Sequence, residues 1–127
     1  MESMNIAALY IAVNVLIIVL LSVRVVGGRT AKRISLGTGD DKDMEVRIRS
    51  QANATEYIPI GMISLVVLVV LGAPNWILHT LGGAFTLGRI IHPIGMAGPL
   101  IARQLGTVFT WTGLLGFAAA LIWFAVA

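Results

Sequence analysis

The stretch RIRSQANATEYIPI, residues 47–60, carries two arginines, a glutamine, an asparagine and a glutamate into an otherwise apolar segment. On one helix Arg49, Asn53 and Glu56 stand at i, i+4 and i+7, so they share a stripe. Gln51 and Tyr57 lie off it and address a neighbouring helix or subunit. An ionised glutamate turned toward lipid costs several kcal/mol. Glu56 is therefore expected to point inward and meet a cation, with Arg49 the nearest candidate in sequence. Pro59 removes the amide that would bond the Thr55 carbonyl, which predicts a kink where the polar stripe meets the apolar half of the helix. Both features suit a pocket at one membrane interface. The alternative for the same residues is a structural ion pair plus a hydrogen-bonded Asn53 tying the helices together.

Two further arginines lie near the same membrane face. Arg89 has apolar neighbours on both sides and must snorkel or find a partner, and Arg103 just precedes the last apolar segment. His92, at i+3 from Arg89, can share its face as a hydrogen-bonded group, but no His, Asp or Glu spacing matches a metal site. His79, near the opposite face, reads as an interface residue.

The elements that must position these groups follow from composition. With 127 residues, 57% hydrophobic and 12% charged, and a mean hydropathy of +0.91, the chain is too apolar for a soluble domain. About four spans of roughly 20 residues exhaust it, so residues 1–127 form one domain: an all-α membrane protein, a four-transmembrane-helix up-down bundle. The expected spans are Asn5–Val26, stopping at Gly27-Gly28; a second entering through the polar stretch and ending at the turn Gly72-Ala73-Pro74-Asn75; a third from Trp76 to Met96, loosened by Pro93, Gly95, Gly98 and Pro99; and a fourth over Leu105–Ala127, with Trp111 and Trp123 as interface anchors near its ends. Gly82, Gly83, Ala84 and Gly88 allow close helix packing in the third. The amino-terminal segment lacks a basic n-region and reads as a retained helix rather than a cleaved signal.

Charge fixes the orientation. Arg24, Arg29, Lys32, Arg33, Lys42, Arg47 and Arg49 lie at or between the first two spans, and Arg89 and Arg103 near the link between the last two. The positive-inside rule makes both links cytoplasmic and both termini external, a one-sided field and not a nucleic-acid footprint. TGDDKDME, between Gly37 and Glu45, reads as a solvated turn without calcium-loop spacing. There is no cysteine, so sulfur chemistry requires a cosubstrate.

The run R-x-Q-x-N-x-x-E-Y-x-P, here Arg49, Gln51, Asn53, Glu56, Tyr57 and Pro59, closely resembles the second-helix signature of the MAPEG family, membrane-associated proteins in eicosanoid and glutathione metabolism. The likeness extends to the basic first loop, to G-R-x-x-H at Gly88–His92 and to Arg103. It implies a homotrimer holding glutathione between subunits near the cytoplasmic face of a bacterial inner membrane. Arg49, Gln51, Asn53, Glu56 and Tyr57 resemble glutathione-binding residues of the leukotriene-C synthase branch, as does Arg29. Arg89 with His92 is similar to the arrangement in microsomal prostaglandin E synthase, and Arg103 to the arginine assigned to thiolate stabilisation. The departure is Met96, where both enzymes carry a tyrosine.

The resemblance implies glutathione as cosubstrate and membrane lipid and a lipophilic electrophile as partners. The residue chemistry is compatible: glutathione brings two carboxylates and an ammonium group, complementary to Arg29, Arg49, Arg89, Glu56 and Asn53. A guanidinium beside a thiol favours the thiolate, and Arg103 is always charged. The expected activity is a glutathione transferase, with peroxidase activity as an extension. The alternative is a non-catalytic lipid- or ligand-binding member of the same fold; a small transporter would need a continuous polar path that the spans do not supply.

Overall fold

In the computed structural model, which describes residues 1–127, the chain forms four antiparallel helices joined by short links: α1 (Glu2–Lys32), α2 (Lys42–Val70), α3 (Asn75–Ala97) and α4 (Leu100–Val126). By length and composition α1, α2 and α4 are each able to cross a membrane. The 23 residues of α3 reach about the same thickness at ~1.5 Å each, but α3 carries His79, Arg89 and His92 and buries the last two. Large apolar side chains stand outward on α1 (Leu9, Leu16, Leu20, Val23) and α4 (Leu115, Ile122, Trp123), an inversion of a water-soluble surface that only lipid or another protomer can cover. Leu65, Leu68, Leu78, Phe85 and Phe117 fill the interior, so the fold is a four-helix membrane bundle.

The longest shared seam joins α3 and α4. A Cβ added at Gly113 would meet Phe85, one at Gly88 would strike Thr110 and the Gly106 carbonyl, one at Gly106 would strike the His92 backbone, and one at Gly95 would overlap the Arg103 backbone. Contacts that climb one helix as they descend the other, in antiparallel register, let two backbones approach where lipid provides no hydrophobic drive for association. The close packing expected of Gly88 is found; Gly82 and Gly83 instead accommodate the Tyr10 ring of α1. α1 is further tied to α3 by Asn14 Nδ2, which donates to Thr86 Oγ1 at 2.8 Å, and by the pairing of Tyr10 Oη with His79 Nδ1 at 3.1 Å.

Several boundaries differ from the sequence expectation. α1 does not stop at Gly27-Gly28: Gly28 is where Met44 and Arg47 of α2 press close, and the helix ends only at Arg33, in the left-handed region at φ 56° with its amide on the Arg29 carbonyl. Lys42–Glu45, expected in a solvated turn, begin α2, because the Asp41 side chain caps it by accepting from the Met44 amide at 2.7 Å. Pro59 stands inside α2 without ending it. Pro99 supplies the cap of α4, which therefore starts at Leu100 rather than Leu105. That shift places Arg103 within the first turn and Trp111 three turns in, so Trp111 is not an anchor at a helix end.

The α1–α2 link is held by ion pairs. Lys32 Nζ lies 2.8 Å from Asp41 Oδ2 and 3.4 Å from Asp43 Oδ2, and Arg47 Nε lies 2.8 Å from Asp43 Oδ2. The Lys32 ammonium, then the Met44 amide, hold the Asp41 carboxyl below its ordinary 3.8, and Asp41 in turn raises Lys32 above 10.5. A lowered carboxyl stabilises fully above 3.8 and loses that contribution as pH falls through the folded value. A raised ammonium does so below 10.5 and loses it as pH rises through its own. Protease accessibility of residues 33–41 should thus stay low across the neutral range, and rise at the acid and alkaline extremes. Asp41→Asn should shrink the acid limb to what Asp43, held low by Arg47 and Lys32, still contributes, and an unchanged acid profile would show the Lys32–Asp41 pair to be idle.

The seam makes a second prediction. Gly88→Val should cost about 1–3 kcal/mol by overpacking and lower the unfolding midpoint in detergent. Gly27→Ala, with nothing within 4 Å of the added carbon, should hold or raise the midpoint by helix propensity. Equal midpoints for both would mean that the seam does not limit stability.

Candidate functional site

Arg89 is only 2% exposed, although a guanidinium within an apolar helix would ordinarily snorkel out. It stays because two neighbouring helices, α2 and α4, supply neutral oxygens. Nε and Nη2 donate to Thr110 Oγ1 of α4 at 2.9 and 2.6 Å, and Nη1 donates to Asn53 Oδ1 of α2 at 2.7 Å. A longer 3.4 Å bond runs from Nη1 to the Asn53 carbonyl. Thr110 passes its own hydrogen to the Gly106 carbonyl at 2.8 Å. The Tyr57 ring sits against the cation, its centroid 5.3 Å from Cζ, and Trp111 Nε1 donates to Tyr57 Oη at 3.3 Å. No carboxylate joins this knot; the ion pairs of the chain all lie at the α1–α2 link and the first turns of α2.

Of the residues singled out in the sequence, Asn53, Tyr57 and Arg89 are thus brought together. His92, one turn below Arg89, is buried at 6% exposure and its Nδ1 has no partner. The others stay apart. Arg49 and Glu56 are both exposed on the protomer surface, and the inward turn of Glu56 and its ion pair with Arg49 do not form within the protomer. Seven residues of rise separate their Cα atoms by about 10 Å, and Asn53 between them turns to Arg89. Gln51 is half-buried and makes no side-chain hydrogen bond within the protomer. Arg29 reaches into its own loop, Nη1 donating to the Gly37 carbonyl at 3.0 Å and the Ile34 carbonyl at 3.4 Å. With Thr30, Arg33, Ile34 and Ser35 it lines a cavity of about 350 Å³. Arg103 is exposed in the first turn of α4, where the positive helix terminus and its own charge both favour an anion.

Thr110 and Trp111 were not identified as site residues from sequence. The signal for Thr110 was present: it falls seven residues after Arg103, on the same face of α4, and offers a hydroxyl at the depth of Arg89. Beside the knot, Tyr57, Trp111, Leu114 and Leu115 line an apolar cavity of about 250 Å³ between α2 and α4. The structure therefore has a hydrogen-bonded centre at Arg89 with an apolar cleft beside it at Tyr57 and Trp111, and exposed charges at Arg49, Glu56 and Arg103 on the two helices that supply its partners.

Comparison with known proteins accords with this geometry. Residues 7–123 match the profile of the MAPEG family. The chain is 32% identical over 120 residues to the inner membrane protein YecN of Escherichia coli K12, covering 94% of this chain and 92% of that one. The same identity and coverage hold for YecN of E. coli O6:H1. With its polar second-helix run, its four membrane helices and this match over nearly the whole length, the chain belongs to the MAPEG family.

Proposed function

We propose that the protein is a glutathione-dependent transferase of a bacterial inner membrane, working as a homotrimer on lipophilic electrophiles. The observation that carries this reading is the set of charges without an ion-pair partner: Arg49 and Glu56, exposed four residues before and three after Asn53 on α2, and Arg103, exposed seven residues before Thr110 on α4. Each stands on a helix that also contributes to the Arg89 knot. Charges at a membrane edge find partners or ligands, and a small zwitterionic peptide with two carboxylates matches two guanidiniums and a carboxylate in sign. A neighbouring protomer completes the enclosure, and Arg29 and Gln51 address the ligand from it. The basic links face the cytoplasm and the termini face outward, with YecN, named an inner membrane protein, as the precedent for the compartment.

In this mechanism Arg49, Asn53 and Tyr57 hold the peptide, and Arg103, aided by the α4 terminus, stabilises the thiolate. A free thiol has a pKa of about 8.5, so a nearby fixed cation raises the nucleophilic fraction at neutral pH. The thiol proton passes to water. The sulfur forms a C–S bond to an aryl carbon as the halide leaves. With an organic hydroperoxide the sulfur attacks the O–O bond, an alcohol departs, and a second glutathione reduces the sulfenic product to disulfide and water. The apolar cleft at Tyr57 and Trp111 would receive the electrophile from the bilayer.

A second reading, a non-catalytic lipid-binding member, is favoured by Met96: it replaces a polar contact to the ligand and is half-buried one turn beyond His92.

Purified protein incubated with glutathione and an aryl halide or organic hydroperoxide should yield conjugate or glutathione disulfide; intact glutathione binding without turnover selects the second reading. Arg103→Ala should cut kcat roughly tenfold or more while the dissociation constant for glutathione changes less. Parallel losses would make Arg103 a binding residue only. Glu56→Gln should weaken glutathione binding or trimer stability, and a variant unchanged in both respects would rule out the pocket.

A further inference from the structure

We infer that Arg89 is a positioning residue rather than a ligand: it engages the Asn53 oxygen, so that the carboxamide offers its Nδ2 hydrogens, rather than that oxygen, to whatever occupies the site. The inference deepens the proposed function and rests on it for the identity of the ligand. Arginine has donors and no acceptor, so the Asn53 atom 2.7 Å from Nη1 must be the oxygen, whichever way an amide is otherwise assigned. Nε and Nη2 are committed to Thr110 and Nη1 to Asn53, and the side chain is 2% exposed. A ligand therefore has little access to the guanidinium itself.

Asn53 is left with Nδ2 and its two hydrogens, for which no side-chain or backbone acceptor stands within the protomer. Asn53 is half-buried and belongs to the stripe of Arg49 and Glu56. Free to rotate, an asparagine amide could serve a ligand carboxylate or a ligand ammonium. Locked by Arg89, it presents its Nδ2 hydrogens, which favour an acceptor: a carboxylate or a peptide carbonyl. Specificity then has a division of labour in which Asn53 and Arg49 take acceptor groups and Glu56 alone is left for the ammonium. Thr110 and the seam glycines Gly88 and Gly106 hold Arg89 in place, extending the determinant of ligand polarity into α4.

The decisive variant is Asn53→Asp, nearly isosteric. Its carboxylate gives Arg89 the counter-ion it lacks and so preserves the knot, while both hydrogens that would face the ligand are lost. Titration calorimetry with glutathione should show affinity falling by about tenfold or more, with a thermal midpoint at or above that of the parent. Arg89→Leu should lower the midpoint and the affinity, and Arg89→Lys, which keeps a donor for Asn53, should restore part of each. Parent-like glutathione affinity in Asn53→Asp would overturn the inference, as would a lowered midpoint. A parent protein that does not bind glutathione at all would defeat the proposed function instead. The midpoints of Asn53→Asp and Asn53→Leu then still decide the orientation: the first held and the second lowered supports it, and both lowered refutes it.

Discussion

A positive charge buried without a negative partner is the constraint around which this protomer is organised. Moving a guanidinium out of water is costly, and one left with unfilled donors is not tolerated in an apolar interior. Here the solution is distributed: a threonine from α4, an asparagine from α2 and an aromatic face from α2 close on one arginine of α3. Each partner is neutral, so the charge is solvated but not cancelled. The bundle can accept this only if α3 and α4 come close enough for a short threonine to reach, which is what the glycines along their seam allow. Backbone proximity and polar satisfaction are one arrangement seen from two sides.

From this follows a separation of duties along α2. The side chain nearest the core, Asn53, is recruited into the knot, while its stripe neighbours remain outside it. Helical periodicity alone treats the three as equivalent, because it reports angle about the axis and not the depth of the surface each meets. That explains why Glu56 was expected to turn inward: the cost of a lipid-facing carboxylate was applied to an angle about the axis, whereas Glu56 stands exposed on the surface of the chain and only Asn53 of the stripe reaches the knot.

Much of the architecture was legible. Span number, helical class and the positions of α2 and α3 follow from hydropathy and spacing, whereas Asn53, Tyr57 and Arg89 are joined in one site only by the family resemblance, spacing having set Tyr57 off the Asn53 stripe. The resemblance to the MAPEG family, drawn from residues 49–59 and 88–92, agrees with the match over 7–123. What escaped was set by local chemistry that hydropathy averages away. Gly28, read with Gly27 as a helix stop, was a packing position, Asp41 read as solvated was a cap, and Pro99 opened a helix instead of ending one. The partner of Arg89 on α4, Thr110, shares a face with Arg103 in the sequence, but that spacing alone does not say which helix the face meets; the antiparallel register with α3 does.

The tight link between α3 and α4, just Gly98 and Pro99 between the two helices, has a bearing on biogenesis. α3 is the one helix not apolar enough on its own to be classed with the spans, and its arginine finds half of its hydrogen bonds on the next segment and the other half on α2. Released singly into the bilayer, α3 would carry an unsolvated cation; delivered as a hairpin with α4, it enters with the Thr110 hydroxyl already on the guanidinium and only the α2 side left to close. Insertion of the carboxy-terminal half is therefore a paired event, in which the emerging last helix serves as the solvent for the one before it.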